Sequence, residues 1–584
     1  MKRLLIIPLL LLASSAYGAY WVSPTGEATW ENCSSETPLA GAAACLLSVA
    51  NTNVAAGDTV YLRGGTYVIS STNRISPAAN GTLANRITYQ PYTASTWAAR
   101  EVVILQGSPP TTTDQIGAYL VNDYALVKGI KFEDCFQAVL VVGGNYNEIG
   151  PDNEVYHTGL TLHGASKQPG MYLHTTSTNN WVHDNKIHDM GFSGCDEGHD
   201  GIKVGHSSDA LSSNNTIEDN EIYSMGHSAM DIFGQYTVIR NNAMHNAGWK
   251  TDPTGCDVGP DPAGSDPGDG KFGHRNLSLT RDSVTNDGFM LVEGNRIGHA
   301  SANPVNAGPD GISLGAASNI LRYNYIFGGD GLGIYWKSYG SPWLPDSNLV
   351  YNNTIYYNGR YTGTEVLAAD VEKYGLGYLE VGAGSDTRNN IINSNVGGDA
   401  VCFGGSCVYS GSTWANNLCD ATDSDVGCTD GSPTFTNTSM SDMTSLVLPD
   451  LSLQSGSTGI DGGTYLTRAN GSGSSSTTLI VDNALYFQAG SAAATNPMGA
   501  TISSIAADWI AIGTVGNIVQ ISDINYSTNT ITLASAKSWA DDASIWLYKD
   551  SNGTIVLYGA APDQGANEYN PGTISGISCE GCSF

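Results

Sequence analysis

The stretch VHDNKI at Val182–Ile187 decides how the chain is read, because it comes back. It recurs as IEDNEI at Ile217–Ile222, IRNNAM at Ile239–Met244, VEGNRI at Val292–Ile297, LRYNYI at Leu321–Ile326 and VYNNTI at Val350–Ile355. Degenerate copies, TRNNII and WANNLC, follow around Asn390 and Asn417. The asparagines Asn185, Asn220, Asn242, Asn295, Asn324, Asn353, Asn390 and Asn417 stand 22 to 53 residues apart. A helical repeat would keep its length, whereas coils of constant core tolerate loops of any size at fixed corners. Alternating apolar and polar residues on either side of each asparagine give short strands with one buried face. Strands joined by long connections in unchanging order stack in parallel, about 4.8 Å apart. The asparagine is expected to take the left-handed backbone conformation at the bend and to bond through its amide to the asparagines above and below. The fold class is therefore all-β, a right-handed parallel β-helix with a continuous apolar axis. A β-sandwich has no reason to keep one residue type at one corner.

Upstream, Met1–Gly18 reads as a secretory signal peptide. Lys2 and Arg3 form its positive end, Leu4–Leu12 its apolar run, and Ala16-Tyr17-Gly18 the small residues before a cut at Ala19. No later stretch is apolar enough for a membrane span. The expected location is extracellular or periplasmic. The cysteines agree with an oxidising compartment: Cys33/Cys45, Cys402/Cys407, Cys419/Cys428 and Cys579/Cys582 lie close enough for local disulfides. Cys195 and Cys256 pair in the same scheme and leave Cys135 as a buried thiol. A zinc site would need a CxxC…CxxC array, which is not present. The net charge of −30 argues against nucleic acid and anionic membranes as partners. The chain is expected to be monomeric.

Residues 20–68 form an N-terminal cap: a strand at YWVSP, an amphipathic helix over Ala40–Val54 with Leu46, Leu47 and Val49 on its apolar face, then the first coil in AAGDTVYLRGGTY. The phrases YWVSP and GDTVYLRGGTY, followed by asparagine ladders, resemble the opening of secreted right-handed β-helix proteins of the pectate-lyase-like superfamily. The resemblance extends over residues 20–466, and DLSLQSGSTGIDGG (Asp450–Gly463) and PDQGANEY (Pro562–Tyr569) resemble the way such chains finish their last coils. It implies a fold, and a set of activities that includes polysaccharide lyases, glycoside hydrolases, uronan epimerases and non-catalytic surface proteins. The β-helix domain is placed at 19–466. A small β-barrel or sandwich module at 467–560 is read as capping the stack, with glycan binding as the rival role. A closing segment covers 561–584.

The strands after each ladder phrase carry the candidate chemistry: DGIKVG from Asp200, AMDIFG from Ala229, DGISLG from Asp310, GLGIYWK from Gly331 and GYLEVG from Gly377. With Ile202/Val204, Met230/Ile232, Ile312/Leu314, Leu332/Ile334 and Leu379/Val381 pointing inward, the outer row holds Lys203, Asp231, Ser313, Tyr335, Lys337 and Glu380. His199, Asp200, His227, Asp310 and Asp330 precede these strands, and GCDEGHDGIK (Gly194–Lys203) is the densest ionisable cluster. Elimination from a uronic acid needs a base and positive charge at the substrate carboxylate. Lys203 is the first candidate base, with His199 or His227 as alternatives. Asp196, Asp200 and Asp231 are the candidate ligands of Ca²⁺, the tentative cofactor. The resemblance favours this chemistry, because lysine or arginine bases with calcium recur in the superfamily's lyases. Hydrolysis would instead use paired carboxylates, Asp200 and Asp231. Tyr335, Trp336, Lys337, Glu380 and Asp310 are the substrate-binding candidates. Against each Asp-Gly stands ordinary turn chemistry. Asp252, Asp257, Asp261, Asp266 and Asp269, in the insertion at 250–285, are either a calcium loop or a solvated one. The expected partner is an extracellular polysaccharide, and the third alternative is a non-catalytic glycan-binding surface protein.

Overall fold

A computed structural model describes residues 19–107, 115–158, 169–190, 200–206, 212–225, 227–247, 275–280, 288–298, 310–329, 331–336, 344–360, 374–378, 383–402, 412–420, 427–440, 448–491 and 505–570. Three long parallel sheets wind around one axis. The first runs from Ala19–Val22 through Trp181–His183 to Thr413–Ala415, and the second from Gly65–Val68 through Lys186–His188 to Cys428–Asp430. The third, of ten strands, runs from Ile116–Leu120 through Ile202–Val204 to Gly398–Cys402. Residues of neighbouring coils pair in register, as in Val182 with Ile217, Ile187 with Ile222 and Ile202 with Met230. These six side chains are fully buried and belong to one continuous core that runs from Val22 to Cys419. This is the right-handed parallel β-helix the repeat predicts.

The asparagine ladder stands at the corner between the first and second sheets. The Nδ2 of Asn185 donates to the Oδ1 of Asn220 at 2.9 Å, Asn220 to Asn242 at 3.0 Å, and so on through Asn295, Asn324, Asn353, Asn390 and Asn417. The ladder starts one coil earlier than the phrase suggests, at Asn153, which donates to Asn185. One detail of the expectation is corrected. The left-handed residue is the one before each ladder asparagine: Asp184, Asp219, Asn241, Gly294, Tyr323, Asn352, Asn389 and Asn416 all have φ between 49° and 69°. The bend needs two residues, one to reverse the backbone and one to turn its amide into the corner and onto the stack. Shorter ladders stand at the other corners, Asn319 to Asn348 and Asn358 to Asn395.

At the N-terminal end a short helix, Leu47–Asn53, covers the axis. Its inner face is Leu47, Ala50 and Asn51, whereas Leu46 is 39% exposed and lies before the helix. Cys33–Cys45 and Cys419–Cys428 are disulfides, and Cys135 is a buried thiol, as the spacing suggests. The other cysteine pairs lie at least partly outside the described residues. Among the described residues no helix is long and apolar enough to cross a membrane.

The C-terminal part departs from the expectation of an end cap. Phe435–Asn437 and Asp450–Leu453 pair antiparallel, and Phe435, Leu451 and Leu453 pack on Phe327, Ile391 and Leu418 of the second sheet's outer face. The following strands, Thr467–Arg468, Gly473–Ile480, Trp509–Ile512, Ile518–Asn525, Thr530–Trp539 and Ser544–Lys549, form one antiparallel sheet. Its apolar face, including Leu479, Ile510, Val519, Ile531 and Ile545, packs with Val238, Leu291, Ile320, Leu349 and Tyr351 of the first sheet. The module thus covers a flank of the solenoid. Pro562–Tyr569 returns to the ladder corner, where the N–H of Gly565 donates to the carbonyl of Asn389. Two sheets are therefore covered on their outer faces over these coils, and among the described residues the third receives neither element.

Candidate active site on the third sheet

On the outer face of the third sheet the first nine of its ten strands each place one residue in a single row. In order along the axis these are Tyr119, Leu140, Tyr172, Lys203, Asp231, Ser278, Ser313, Tyr335 and Gly377. The inward row beside it is apolar: Ala118, Val139, Met171, Ile202, Met230, Leu277, Ile312, Ile334 and Leu376, all fully buried. The register read from DGIKVG, AMDIFG and DGISLG is the register found.

Lys203 and Asp231 are direct neighbours in this row, and the Lys203 Nζ lies 2.9 Å from an Asp231 carboxylate oxygen. The same ammonium stands 3.9 Å from Asp200 and 5.0 Å from the centre of the Phe233 ring. Lys203 is 8% and Asp231 7% exposed, so the pair is largely withdrawn from water. A buried ammonium is tolerated only with such partners. Asp200, 1% exposed, accepts a 2.7 Å bond from His227 Nδ1 and a 3.2 Å bond from the Ser228 N–H. Ser228 Oγ is also 3.1 Å from His227 Nδ1. On the far side, Thr280 Oγ1 lies 3.4 Å from Asp231 and 2.9 Å from Ser278 Oγ. Burial alone would raise the Asp200 pKa, but His227, then Lys203 and the Ser228 amide, hold its carboxyl below the usual carboxylate range.

Local packing explains the Asp-Gly phrases better than a reversed turn does. A Cβ on Gly201 would meet the Ala229 carbonyl at 2.7 Å and Ile222 Cγ2 at 2.6 Å, and Gly311 has the same close approach to the next coil. Neither has a positive φ. The glycine lets the coils approach, and the preceding carboxylate bonds the coil above: Asp200 to Ser228, and Asp310 to the Leu332 N–H at 3.0 Å. Asp310 is thereby a structural tie between coils.

Four of the predicted residues, Lys203, Asp200, Asp231 and His227, come together. Tyr335 stands half-buried in the outer row, four coils beyond Lys203. Trp336 is corrected: it is fully buried and points into the core, because the alternation that turns Ile334 inward turns Trp336 inward as well. Leu379, Glu380 and Val381 of GYLEVG lie outside the described residues, and the described strand ends just before them. The strand is Tyr374–Tyr378, with Leu376 inward beside Ile334 and Gly377 outward beside Tyr335. His199, Asp196, Asp330, Lys337 and Glu380 lie outside the described residues, as do the five aspartates of the 250–285 insertion. Tyr172, Phe233 and Thr280 were not singled out from the sequence. Tyr172 was legible in MYLH, since Met171 and Leu173 alternate around it.

Of the three candidate calcium ligands, Asp196 lies outside the described residues. Asp200 and Asp231 are engaged with His227, Ser228, Lys203 and Thr280, and among the described residues no three His, Cys, Asp or Glu side chains are placed to hold a metal. Calcium prefers six to eight oxygen ligands, several of them ionised.

Residues 116–259 match the family model described as "Right handed beta helix region". The chain is similar to pectate lyase L of Paenibacillus polymyxa (strain SC2), with 29% identity over 178 residues, 30% of this chain and 34% of that protein. The similarity thus spans about a third of the relative's length. Among solved structures it is similar to pectate lyase Pel9A, with a TM-score of 0.44 and 16% identity, covering 76% of this chain and 92% of that one. It is also similar to the PL6 family alginate lyase AlyGC, with a TM-score of 0.44 and 15% identity, covering 69% and 53%.

Proposed function

We propose that this pectate-lyase-like right-handed β-helix protein is a secreted polysaccharide lyase that cleaves a uronic-acid-containing glycan by β-elimination on the outer face of its third sheet. The observation that carries the reading is the constellation of buried Lys203, Asp231 and Asp200 with the partly exposed His227 on that face. In the elimination a base takes the proton at C5 of the uronate. The C4–O bond then breaks, a C4–C5 double bond forms, and the departing oxygen receives a proton from water.

The geometry redistributes the two roles considered for Lys203 and His227. Two carboxylates beside Lys203 favour its charged form, which suits a cation facing the substrate carboxylate and does not suit a base. His227 fits the base. With the Nδ1–H donating a hydrogen bond to Asp200, Nε2 is the ring nitrogen that would take the proton. Asp200 holds the imidazole in that tautomer and is a positioning residue. Tyr172 and Tyr335 on the same row are suited to stacking on sugar rings. Hydrolysis by paired carboxylates would need one acid held protonated at working pH. Asp200 is pulled the other way.

The test is a screen of the mature protein against uronate and neutral polysaccharides, reading the ultraviolet absorbance of the unsaturated product together with new reducing ends. Both signals should rise on a uronate polymer and vanish in His227→Ala. Reducing ends without the unsaturated product would transfer the case to hydrolysis. Silence across the panel would support a non-catalytic glycan-binding protein.

A further inference from the structure

We propose that the ammonium of Lys203 is a built-in replacement for the divalent cation at this site, so that the elimination runs without calcium. The inference rests on the lyase reading for its chemistry, but its geometry stands apart from it. Lys203 and Asp231 occupy the same row of adjacent strands, and Asp200 approaches from the edge of the Lys203 strand, so two carboxylates from different coils converge on one ammonium. Two carboxylates converging from different chain segments on a buried positive charge is the arrangement a divalent cation would use, with the lysine Nζ at its centre. The remaining oxygens are engaged as well: His227 and Ser228 hold Asp200, and Thr280 approaches Asp231.

The energetics point the same way. A calcium ion entering between Asp200 and Asp231 would have to expel an ammonium that is almost fully desolvated, and would then compete with it for the same two carboxylates. The chain has a net charge of −30, so an anionic glycan needs a fixed positive charge where its carboxylate docks. Lys203 places a cation there as part of the fold, partly offset by Asp231 and Asp200. A bound metal would bring it only at sufficient free calcium.

The experiment is calcium titration calorimetry on the EDTA-stripped full-length mature protein, comparing wild type, Asp231→Asn, Lys203→Ala and the double variant Lys203→Ala/Asp231→Asn. Wild type and Asp231→Asn should give the same calcium heats, any common signal coming from elsewhere in the chain. Lys203→Ala should gain a binding event that the double variant loses. In the activity arm, the wild-type rate on the polymer found by the screen should be the same in EDTA as in calcium. A wild-type calcium site that disappears in Asp231→Asn would overturn the proposal. So would a folded Lys203→Ala protein that gains no site, or wild-type activity lost in EDTA and restored by calcium. If Lys203→Ala does not fold, the comparison of wild type with Asp231→Asn decides alone. Because the titration needs no substrate, a failed activity screen would sink the lyase reading and leave this measurement readable.

Discussion

Replacing Arg322 by methionine should loosen the C-terminal module from the solenoid, and the structure sets the scale. Arg322 projects from the outer face of the first sheet and is fully buried under the module. Its guanidinium makes two 2.8 Å bonds to Asp508 of the module, reaches Glu293 on the neighbouring coil, and donates to Tyr351 Oη at 3.1 Å. Burial would weaken its charge, but Asp508 and Glu293 hold its pKa well above the usual arginine value. Arg322→Met keeps the aliphatic stem and leaves two buried carboxylates without their cation, a change that costs about 3–5 kcal/mol. The triple variant Arg322→Met/Glu293→Gln/Asp508→Asn removes all three charges and should recover most of that loss. The pH dependence has a definite sign. Burial pushes the Asp508 carboxyl up to about 6 even with Arg322 present, so its protonated form is favoured in the fold. The contribution of this group to stability falls as pH rises from the ordinary carboxylate range to about 6. Without Arg322 the window extends upward, and the variant's deficit should shrink on acidification. The assay is urea unfolding followed by tryptophan fluorescence, with limited proteolysis to report release of the module. A single variant within about 1 kcal/mol of wild type at neutral pH, or a triple variant no better than the single, would refute the argument.

Asp550 lies at the same interface, where burial and then Glu293 push its carboxyl up to about 8. Asp550→Asn should therefore match wild type in acid and gain about 1.4 kcal/mol per pH unit from the ordinary carboxylate range up to about 8, as read by thermal unfolding in a pH series. Asn324→Ala removes the acceptor of the Asn295 N–H and Nδ2, and the donor to the Val292 carbonyl, all in a fully buried corner. Unmet groups of this kind cost about 1–3 kcal/mol each, so the melting temperature should fall sharply, and an unchanged value would mean that water fills the corner. Asp200→Asn should lower kcat about 100-fold or more with little effect on KM, because it disturbs the tautomer of His227 and leaves the sugar platform intact. Initial rates of unsaturated product formation across pH would expose a merely structural role, which would leave the shape of the profile unchanged.

What the sequence discloses follows from how each feature is encoded. The solenoid and its main ladder are legible because one residue type must recur at one corner, and Asn185 to Asn417 do so. The register of Lys203 and Asp231 is legible because Ile202/Val204 and Met230/Ile232 alternate cleanly around them. In GLGIYWK both phases carry large apolar or aromatic residues, so Trp336 is placed only by keeping to the alternation that turns Ile334 inward, and its aromatic character alone misleads. The left-handed residue escapes notice because its identity varies, from Asp184 through Gly294 to Tyr323, while only its φ is constant. The docking of the module is hidden for another reason. Arg322 and Asp508 are far apart in sequence, and nothing local to either says that they meet.

The placement of the site follows from where the solenoid can vary. The corner between the first and second sheets is locked: two residues, such as Asp184 and Asn185, join Trp181–His183 to Lys186–His188, and the ladder bonds leave no room for insertions. The long connections enter elsewhere, between Lys186–His188 and Ile202–Val204, between Ala243–Ala247 and Arg275–Leu279, and between Ile334–Trp336 and Leu349–Tyr351. Each of them leaves or enters the third sheet. That sheet therefore combines a rigid ladder of outward side chains with the chain's freedom to add loops at both borders. The outer faces of the other two sheets are taken up in part by the module and by the Asp450–Leu453 hairpin. A fixed row carrying Lys203 and Asp231, bordered by variable segments, is where loop variation can alter substrate choice without disturbing the core. Shortening the 250–285 insertion should accordingly change activity on different glycans while leaving the melting temperature in place. A comparable deletion at the asparagine corner should prevent folding.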